Sequence, residues 1–447
     1  MSDLLAARSQ MAVSLYFHIL FAVVGIGMPL LMVVAEARYR RTGDPVCLDL
    51  ARRWGKGTAI LFAVGAVSGT VLSFELGLLW PTFMEFAGPV IGMPFSLEGF
   101  AFFLEGIFIG VYLYGWDRIP PRAHLLAGVM VAVSGAASGV FVVIANAWMN
   151  APAGFDLVDG RLANVDPIAG MLNPMAFQQT LHMTLASYAA TGFAVAGIHA
   201  FLLLFDRTNA FHRRALAIAL LVGAPAAVLQ PISGDLSARA VAANQPAKLA
   251  AMEAHFETAR RVPLVIGGIP DVDRRETRYA VRIPGGLSLL AFHDLDAEVK
   301  GLEEFPRADW PNVPIVHTAF QVMVALGSFL ALVSLWAGVL ALRRRDLCES
   351  VWLLRALALA APMGFLAIEA GWTVTEVGRQ PWVVYGILRT ADAVTPMPGL
   401  IVPFLGFSLL YCFLGAIVAW LLYRQIIRSP RPTEWSRVYA PPSLDRA

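Results

Sequence analysis

Apolar residues gather into nine long segments, near 12–36, 54–79, 94–116, 124–148, 178–205, 215–235, 314–342, 351–376 and 397–424. A bilayer core of about 30 Å needs about 20 helical residues at about 1.5 Å each, and every segment meets that length. The pattern therefore predicts an all-α polytopic membrane protein of nine transmembrane helices. The one long polar stretch, 236–313, divides the chain into helices 1–6 (1–235), an outer loop, and helices 7–9 with a tail (314–447). Asn244-Gln245-Pro246 should open an amphipathic helix running through KLAAMEAHFETARR, with proline tolerated in its first turn. From Pro263 onward, Pro270, Pro284, Gly285 and Gly286 punctuate short extended pieces.

Composition agrees with this pattern. The chain is 57% hydrophobic and 15% charged, against about 25% charged in soluble domains. The first apolar run is too long for a cleavable signal peptide and is followed by many more, so none is expected. Basic residues are spread over loops, which gives no footprint for nucleic acid. Cys47, Cys348 and Cys412 have neither metal-ligand spacing nor a disulfide framework, and read as reduced bystanders.

Orientation follows from the arginines. Loops after spans 1, 3, 5 and 7, with the tail, hold eighteen of them, including Arg38, Arg118, Arg213, Arg343, Arg428, Arg431, Arg437 and Arg446. The opposite short loops and the N-terminus hold four: Arg8, Arg161, Arg379 and Arg389. Positive residues stay inside, so the N-terminus should lie outside and the C-terminus in the cytoplasm. The 236–313 loop is then external.

Chemistry concentrates in one outer-half slab. The stretch GFLAIEAGWTVTEVGRQPW (364–382) carries Glu369 within an apolar run, Glu376 two turns on, and Arg379 beyond the helix end. An ionisable group in a span marks a ligand, relay or ion path. A fixed cation beside it suits an anionic cofactor edge. His18, Glu75, Glu98 (one turn into span 3), His182 and Met323 fall at similar depth. A His–Met pair such as His182 and Met323 suits a six-coordinate haem that only transfers electrons. A centre that activates O2 must leave a position open, a role that His18, Glu98 and Glu369 could share. Too few histidines lie in spans for a haem–copper centre, and His199 is about 25 Å deeper than His182. Glu105, seven residues after Glu98 on the same helix face and about 10 Å deeper, is placed for proton uptake from the cytoplasm. His124 and His212 beside the basic inner loops are expected to be solvated. His255, His293 and His317, at the outer loop or its edge, have no metal-ligand spacing.

These residues resemble subunit I of the cytochrome bd family of quinol oxidases over nearly the whole chain. The matching stretches include Tyr16-Phe17-His18, Arg53-Trp54-Gly55-Lys56, Glu98-Gly99 with Ala101 to Glu105, and Gly115-Trp116-Asp117-Arg118. Ala145 to Met149, Leu172-Asn173-Pro174, Lys248 to Glu253, Gly268 to Asp271 and Glu369 to Trp372 through GRQPW extend them. The resemblance implies that His182 and Met323 ligate a low-spin haem b. It implies that His18, Glu98 and Glu369 serve two high-spin haems, one a haem b and the other haem d or a third haem b. Lys248 and Glu253 would contact the quinol; five residues apart, they do not share a helix face, so quinol would lie between them. A second membrane subunit is the implied partner, with a small single-span subunit as a further candidate. The shortened Glu98–Glu105 spacing matches variants called cyanide-insensitive oxidases. Gln321 stands where many members have arginine, Phe365 replaces a tryptophan, and the outer loop is of the short type.

The expectation is a terminal oxidase of the bacterial cytoplasmic membrane. It oxidises quinol outside and reduces O2 to water with protons drawn from the cytoplasm. This separates charge without a pump, and each charge crossing 100 mV stores about 2.3 kcal/mol. A b-type cytochrome anchor would need ligand pairs at two depths, and a proton-coupled transporter would need broken helices and repeats.

Overall fold

The computed structural model describes residues 1–424. Arg428, Arg431, Arg437 and Arg446, counted above for orientation, lie outside the described residues. Nine helical segments among the described residues are long and apolar enough to cross a membrane. They are α1 (Asp3–Thr42), α2 (Pro45–Leu79), α3 (Pro81–Tyr114), α4 (Pro121–Asn150), α6 (Ala176–Leu203), α7 (Ala210–Asn244), α10 (Val313–Leu342), α11 with α12 (Val351–Ala360 and Met363–Val377), and α14 (Ile401–Leu422). Short helices α5 (Pro167–Met171), α8 (Pro246–Met252), α9 (Gly286–Phe292) and α13 (Thr390–Ala393) lie in the connections.

Most helices run past the apolar segments, because polar end residues supply caps rather than stops. Ser2 caps α1 by accepting from the Leu5 N–H at 3.3 Å, and Gly43, at φ 69°, ends it. The Asp44 carboxylate then caps α2, with Pro45 in its first turn. Helix α3 begins at Pro81, not near 94, and carries Pro89 and Pro94 inside it. In a membrane bundle, neighbouring groups satisfy the backbone that proline frees, so the helix continues. Glu98 is accordingly several turns along α3. Pro225 and Pro231 likewise lie within α7, which continues to Asn244, beyond the expected end at 235.

Two groups of helices pack side by side. Helices α1–α4 form one; α6, α7, α10 and α11–α12 form the other, and α1 and α4 both meet α6 between them. Close approach relies on small residues: Gly192 of α6 lies against Gly223 of α7, and Gly364 of α12 against Ala190 of α6. Ile19, Val23, Ala190 and Ile368 fill the junction of α1, α6 and α12. Helix α14 packs mainly on α1 and leaves Val402, Leu409 and Phe413 exposed.

The 236–313 loop is built from small antiparallel pairs: β3 (Ala259–Arg260) with β8 (Glu298–Val299), β4 (Leu264–Ile266) with β7 (Val281–Ile283), and β5 (Ile269–Asp271) with β6 (Glu276–Arg278). The expected amphipathic helix stops at Met252. Ala254 adopts φ 48°, and the His255 N–H returns to the Ala250 carbonyl at 2.8 Å, closing the last turn. The residues that were to continue the helix pass instead through a turn and an irregular stretch into β3. Gly267 and Gly268, with φ of 68° and 94°, turn the chain from β4 into β5. A Cβ at Gly268 would come 2.7 Å from Thr277 Cγ2, so this turn needs glycine sterically as well.

A candidate haem layer and outer quinol site

Helix α1 serves as a ruler of depth. Gln10 Nε2 and Ser14 Oγ both donate to Glu75 Oε1 at 2.9 Å. One turn deeper, His18 Nδ1 lies 3.0 Å from Ser68 Oγ of α2. Deeper again, Gly25 and Gly135 of α4 line the slot that holds the Glu105 carboxylate. Glu98 stands seven residues outward of Glu105 on α3, as His18 stands seven outward of Gly25 on the parallel α1. Glu98 and His18 therefore share a level. Tyr16 Oη meets Thr373 Oγ1 at 2.6 Å, which sets α12 at the same level. Met323 joins it through Gly371, where an added Cβ would come 3.0 Å from the sulfur. The sequence-derived slab of His18, Glu98, Met323 and Glu369 is thus one layer. His182 lies nine residues outward of Thr191, which packs on Gly27 and donates to the Val23 carbonyl.

Both histidines are held in the same way. Ser68 gives its hydrogen to the Val64 and Gly65 carbonyls one turn back, so its oxygen accepts from His18 Nδ1–H. Ser233 of α7 donates to the Gln230 carbonyl and lies 2.9 Å from His182 Nδ1, with the same consequence. Each ring then carries its lone pair on Nε2, the tautomer a metal ligand requires. The Gln230 amide lies alongside, 3.2 Å from His182 Nε2, and also reaches the His182 carbonyl.

Both carboxylate oxygens of Glu369 are buried without a hydrogen-bond partner among the described residues. An isolated buried carboxylate is costly, so the site is built for a partner the chain itself does not supply. The half-buried Glu98 also receives no hydrogen bond from the described residues. Two imidazole lone pairs, a thioether and unpartnered carboxylates form a donor set that suits haem iron.

Arg379 lies over this layer, 2% exposed, with Nη2 donating to Glu376 Oε2 at 2.5 Å. Its Nε and Nη1 have no partner among the described residues. Asn146 donates to the other Glu376 oxygen at 2.5 Å, and Asn150 donates to Asn146 Oδ1 at 3.1 Å. Lys248, also 2% exposed, donates to Asn150 Oδ1 at 2.6 Å. Burial and then the neighbouring Arg379 push the Lys248 amine well below its ordinary value, against the pull of Glu376. The Arg379 guanidinium, with two nitrogens free of described partners, suits an acidic cofactor edge. Glu253 faces elsewhere, toward the Val265 N–H of β4, and burial pushes its carboxyl up to about 8. The loop thus turns Lys248 toward α4 and α12, and Glu253 toward its own strand.

Three contributors were not legible in the sequence. Ser68, Ser233 and Gln230 act across helix pairs, and nothing local distinguishes them from other small polar residues in spans. Glu376 and Asn146 lie within the stretches singled out, but their contact joins residues 230 positions apart.

At the inner ends, His124 and His212 are buried, contrary to the expectation of solvated side chains. His124 lies in the first turn of α4, with Nδ1 3.0 Å from Glu36 Oε1 and Nε2 2.9 Å from the Tyr112 carbonyl. His212 lies 2.9 Å from His199, Nδ1 to Nδ1. The helices extend into the basic loops, so these rings are packed between helix ends. The cysteines are free, Cys47 and Cys348 buried and Cys412 exposed.

Comparison with known proteins matches this architecture. A family model described as cytochrome bd terminal oxidase subunit I matches residues 6–430. A Bacillus subtilis (strain 168) relative, provisionally named as a cytochrome bd menaquinol oxidase subunit I, is 39% identical over 438 residues, 96% of this chain and 98% of its own length. The cytochrome bd ubiquinol oxidase subunit 1 of the same organism is 33% identical over 441 residues, covering 95% and 94%. The structure of bd oxidase from Geobacillus thermodenitrificans superposes with a TM-score of 0.90 at 39% identity, covering 96% of this chain and 99% of that one. With nine apolar helices among the described residues, one layer of metal-suited donors and a family match over residues 6–430, this multi-pass membrane protein belongs to the cytochrome bd terminal oxidase subunit I family of quinol oxidases.

Proposed function

We propose that this chain oxidises quinol on the outer face and passes the electrons to haems that reduce O2, with protons drawn from the cytoplasm. The observation that supports the reading is the layer of metal-suited donors His18, His182, Met323 and Glu369, in which both carboxylate oxygens of Glu369 lack a partner among the described residues. His182 and Met323 would hold a low-spin haem b. His18, Glu98 and Glu369 would serve a high-spin haem b and a third haem, d or b. Haem iron supplies one-electron steps and, where a position is open, O2 binding. Arg379, whose Nε and Nη1 lack partners, would hold an acidic haem edge with Lys248 behind it.

The chain's own groups account for the proton traffic. Glu253, buried in the outer loop, accepts a proton from quinol when ionised, and Lys248 of the same loop would be the second quinol contact. Glu105, buried with Oε1 unpartnered, holds a proton midway between the inner helix ends and the layer. Releasing protons outside while drawing them from inside builds membrane potential without a pump. A second membrane subunit completes the enzyme. The apolar faces of α2 and α3, with Phe74, Leu78, Phe100 and Phe103 exposed, are available to it or to lipid.

Reduced-minus-oxidised spectra test the ligand assignment. His182→Ala and Met323→Leu should each remove the low-spin b band while O2-reactive high-spin signal remains. A normal low-spin band in either variant would show the assignment to be wrong.

A further inference from the structure

Two polar side chains at the outer end of α10 have no role in the donor layer, yet both are committed to the same piece of loop. His317, fully buried, has Nδ1 2.8 Å from the Met252 carbonyl and Nε2 3.0 Å from the Gly267 carbonyl. Carbonyl oxygens only accept, so a ring nitrogen that carries hydrogen donates to the carbonyl it faces. Gln321, one turn further along α10, uses both ends of its amide. Its Oε1 accepts from the Gly267 N–H at 2.9 Å, and its Nε2 donates to the Val265 carbonyl at 3.1 Å. The four contacts tie the β4–β5 turn and the end of α8 to the helix that carries Met323.

What they hold is the surroundings of Glu253. Met252 immediately precedes it, and the Val265 N–H faces its carboxylate. Glu253 Oε2 is buried with no partner among the described residues. The carboxylate is therefore set from both sides by backbone that His317 and Gln321 fix. Gly267 and Gly268, with their positive φ, cannot hold that turn by their own conformational preference.

We propose that His317 and Gln321 are positioning residues for quinol oxidation, clamping the Val265–Gly267 turn onto α10 so that Glu253 stands at the quinol. This rests on the assignment of Glu253 to the quinol site. It adds a mechanical link from that site to the helix bearing Met323. Misplacing a proton acceptor by about 1 Å can cost up to about a hundredfold in rate, so loss of the clamp should be visible in quinol kinetics.

The test uses the complete oxidase in membranes, with a decyl-ubiquinol and a menaquinol analogue as donors. Tetramethyl-p-phenylenediamine with ascorbate serves as a donor to the haems. His317→Phe removes both ring contacts, and His317→Gln keeps an amide with two N–H hydrogens. Gln321→Glu keeps the acceptor for Gly267 but sets a carboxylate oxygen against the Val265 carbonyl. Expected is a fall of about tenfold or more in quinol kcat/KM for His317→Phe and Gln321→Glu, with partial recovery in His317→Gln. The low-spin band and diamine-driven O2 uptake should persist. Unchanged quinol kinetics in these variants, beside loss of quinol oxidation in Glu253→Ala, would overturn the clamp and leave the Glu253 assignment standing. Equal loss with quinol and diamine would reduce both residues to structural supports and also overturn it. Full quinol oxidation by Glu253→Ala would remove the assignment on which the clamp rests.

Discussion

Glu105 and Glu253 are buried acids with different surroundings. Glu105 lies in a slot between Gly25 and Gly135, with one oxygen unpartnered, so its side chain can take and release a proton without breaking a fixed pair. As a proton station, Glu105→Leu should halt O2 reduction after the haems are reduced, and Glu105→Asp should retain partial turnover. Glu105→Gln keeps hydrogen-bonding atoms but no titratable proton. Normal proton uptake in time-resolved oxidation of that variant would end the relay hypothesis. Glu253 carries its prediction in its titration. Burial raises its carboxyl to about 8, so it is protonated at neutral pH and becomes a base as pH rises through that value. Quinol kcat/KM should therefore climb between about pH 6.5 and 8.5, and Glu253→Gln should flatten the climb. A pH profile unchanged by Glu253→Gln would assign the titration to another group. At this scale the sequence exposed the carboxylates, histidines and Met323, because such groups are rare in apolar runs. It did not expose Ser68 and Ser233, which fix the imidazoles, since serine in a span usually only bonds back to its own helix.

Helices fix the layer through close backbone approach. Gly364 stands at the inner end of α12, and a Cβ there would come 2.8 Å from the Ala190 Cβ of α6. Glu369 lies a turn and a half further out on the same short helix. Gly364→Val should push α12 from α6, at a cost of about 1–3 kcal/mol from overpacking, and shift Glu369 and Gly371 relative to His182 and Met323. Lower haem content per complex and a lower melting temperature are the expected readouts. Full haem content at unchanged stability would show that α12 tolerates the displacement. The apolar period marked where helices run, but not how their ends behave. Prolines lie inside α3 and α7 without ending them, whereas α8 stops with no glycine at Ala254. In both cases tertiary contacts decide: neighbouring helices satisfy freed backbone, and the loop strands compete for the residues after Glu253.

For the whole molecule, the arginine distribution implies an external N-terminus and an external 236–313 loop. Cysteine labelling tests this. In a Cys412→Ser background, with Cys47 and Cys348 buried, Asp159→Cys at the tip of the β1–β2 hairpin (Asp156–Val158 and Arg161–Ala163) should react in intact cells with an impermeant maleimide. Arg344→Cys, in the turn after α10, should react only after permeabilisation. The reverse pattern would invert the topology and, with it, the direction of proton uptake.

The sequence by itself determined the number of spans, the single long loop and the one depth at which ligand-type side chains accumulate. Hydrocarbon length and the cost of burying charge impose these constraints locally, residue by residue. Tertiary structure alone decided which oxygen and nitrogen atoms remain free. Serines on other helices take Nδ1 of His18 and His182, which leaves the lone pair on Nε2, and no described residue bonds to the Glu369 carboxylate. Only the fold brought Lys248 to Asn150, Glu376 to Asn146, and the β4–β5 turn to His317 and Gln321. These pairings join residues tens to hundreds of positions apart, and their geometry is set by how rigid helices pack rather than by any local pattern.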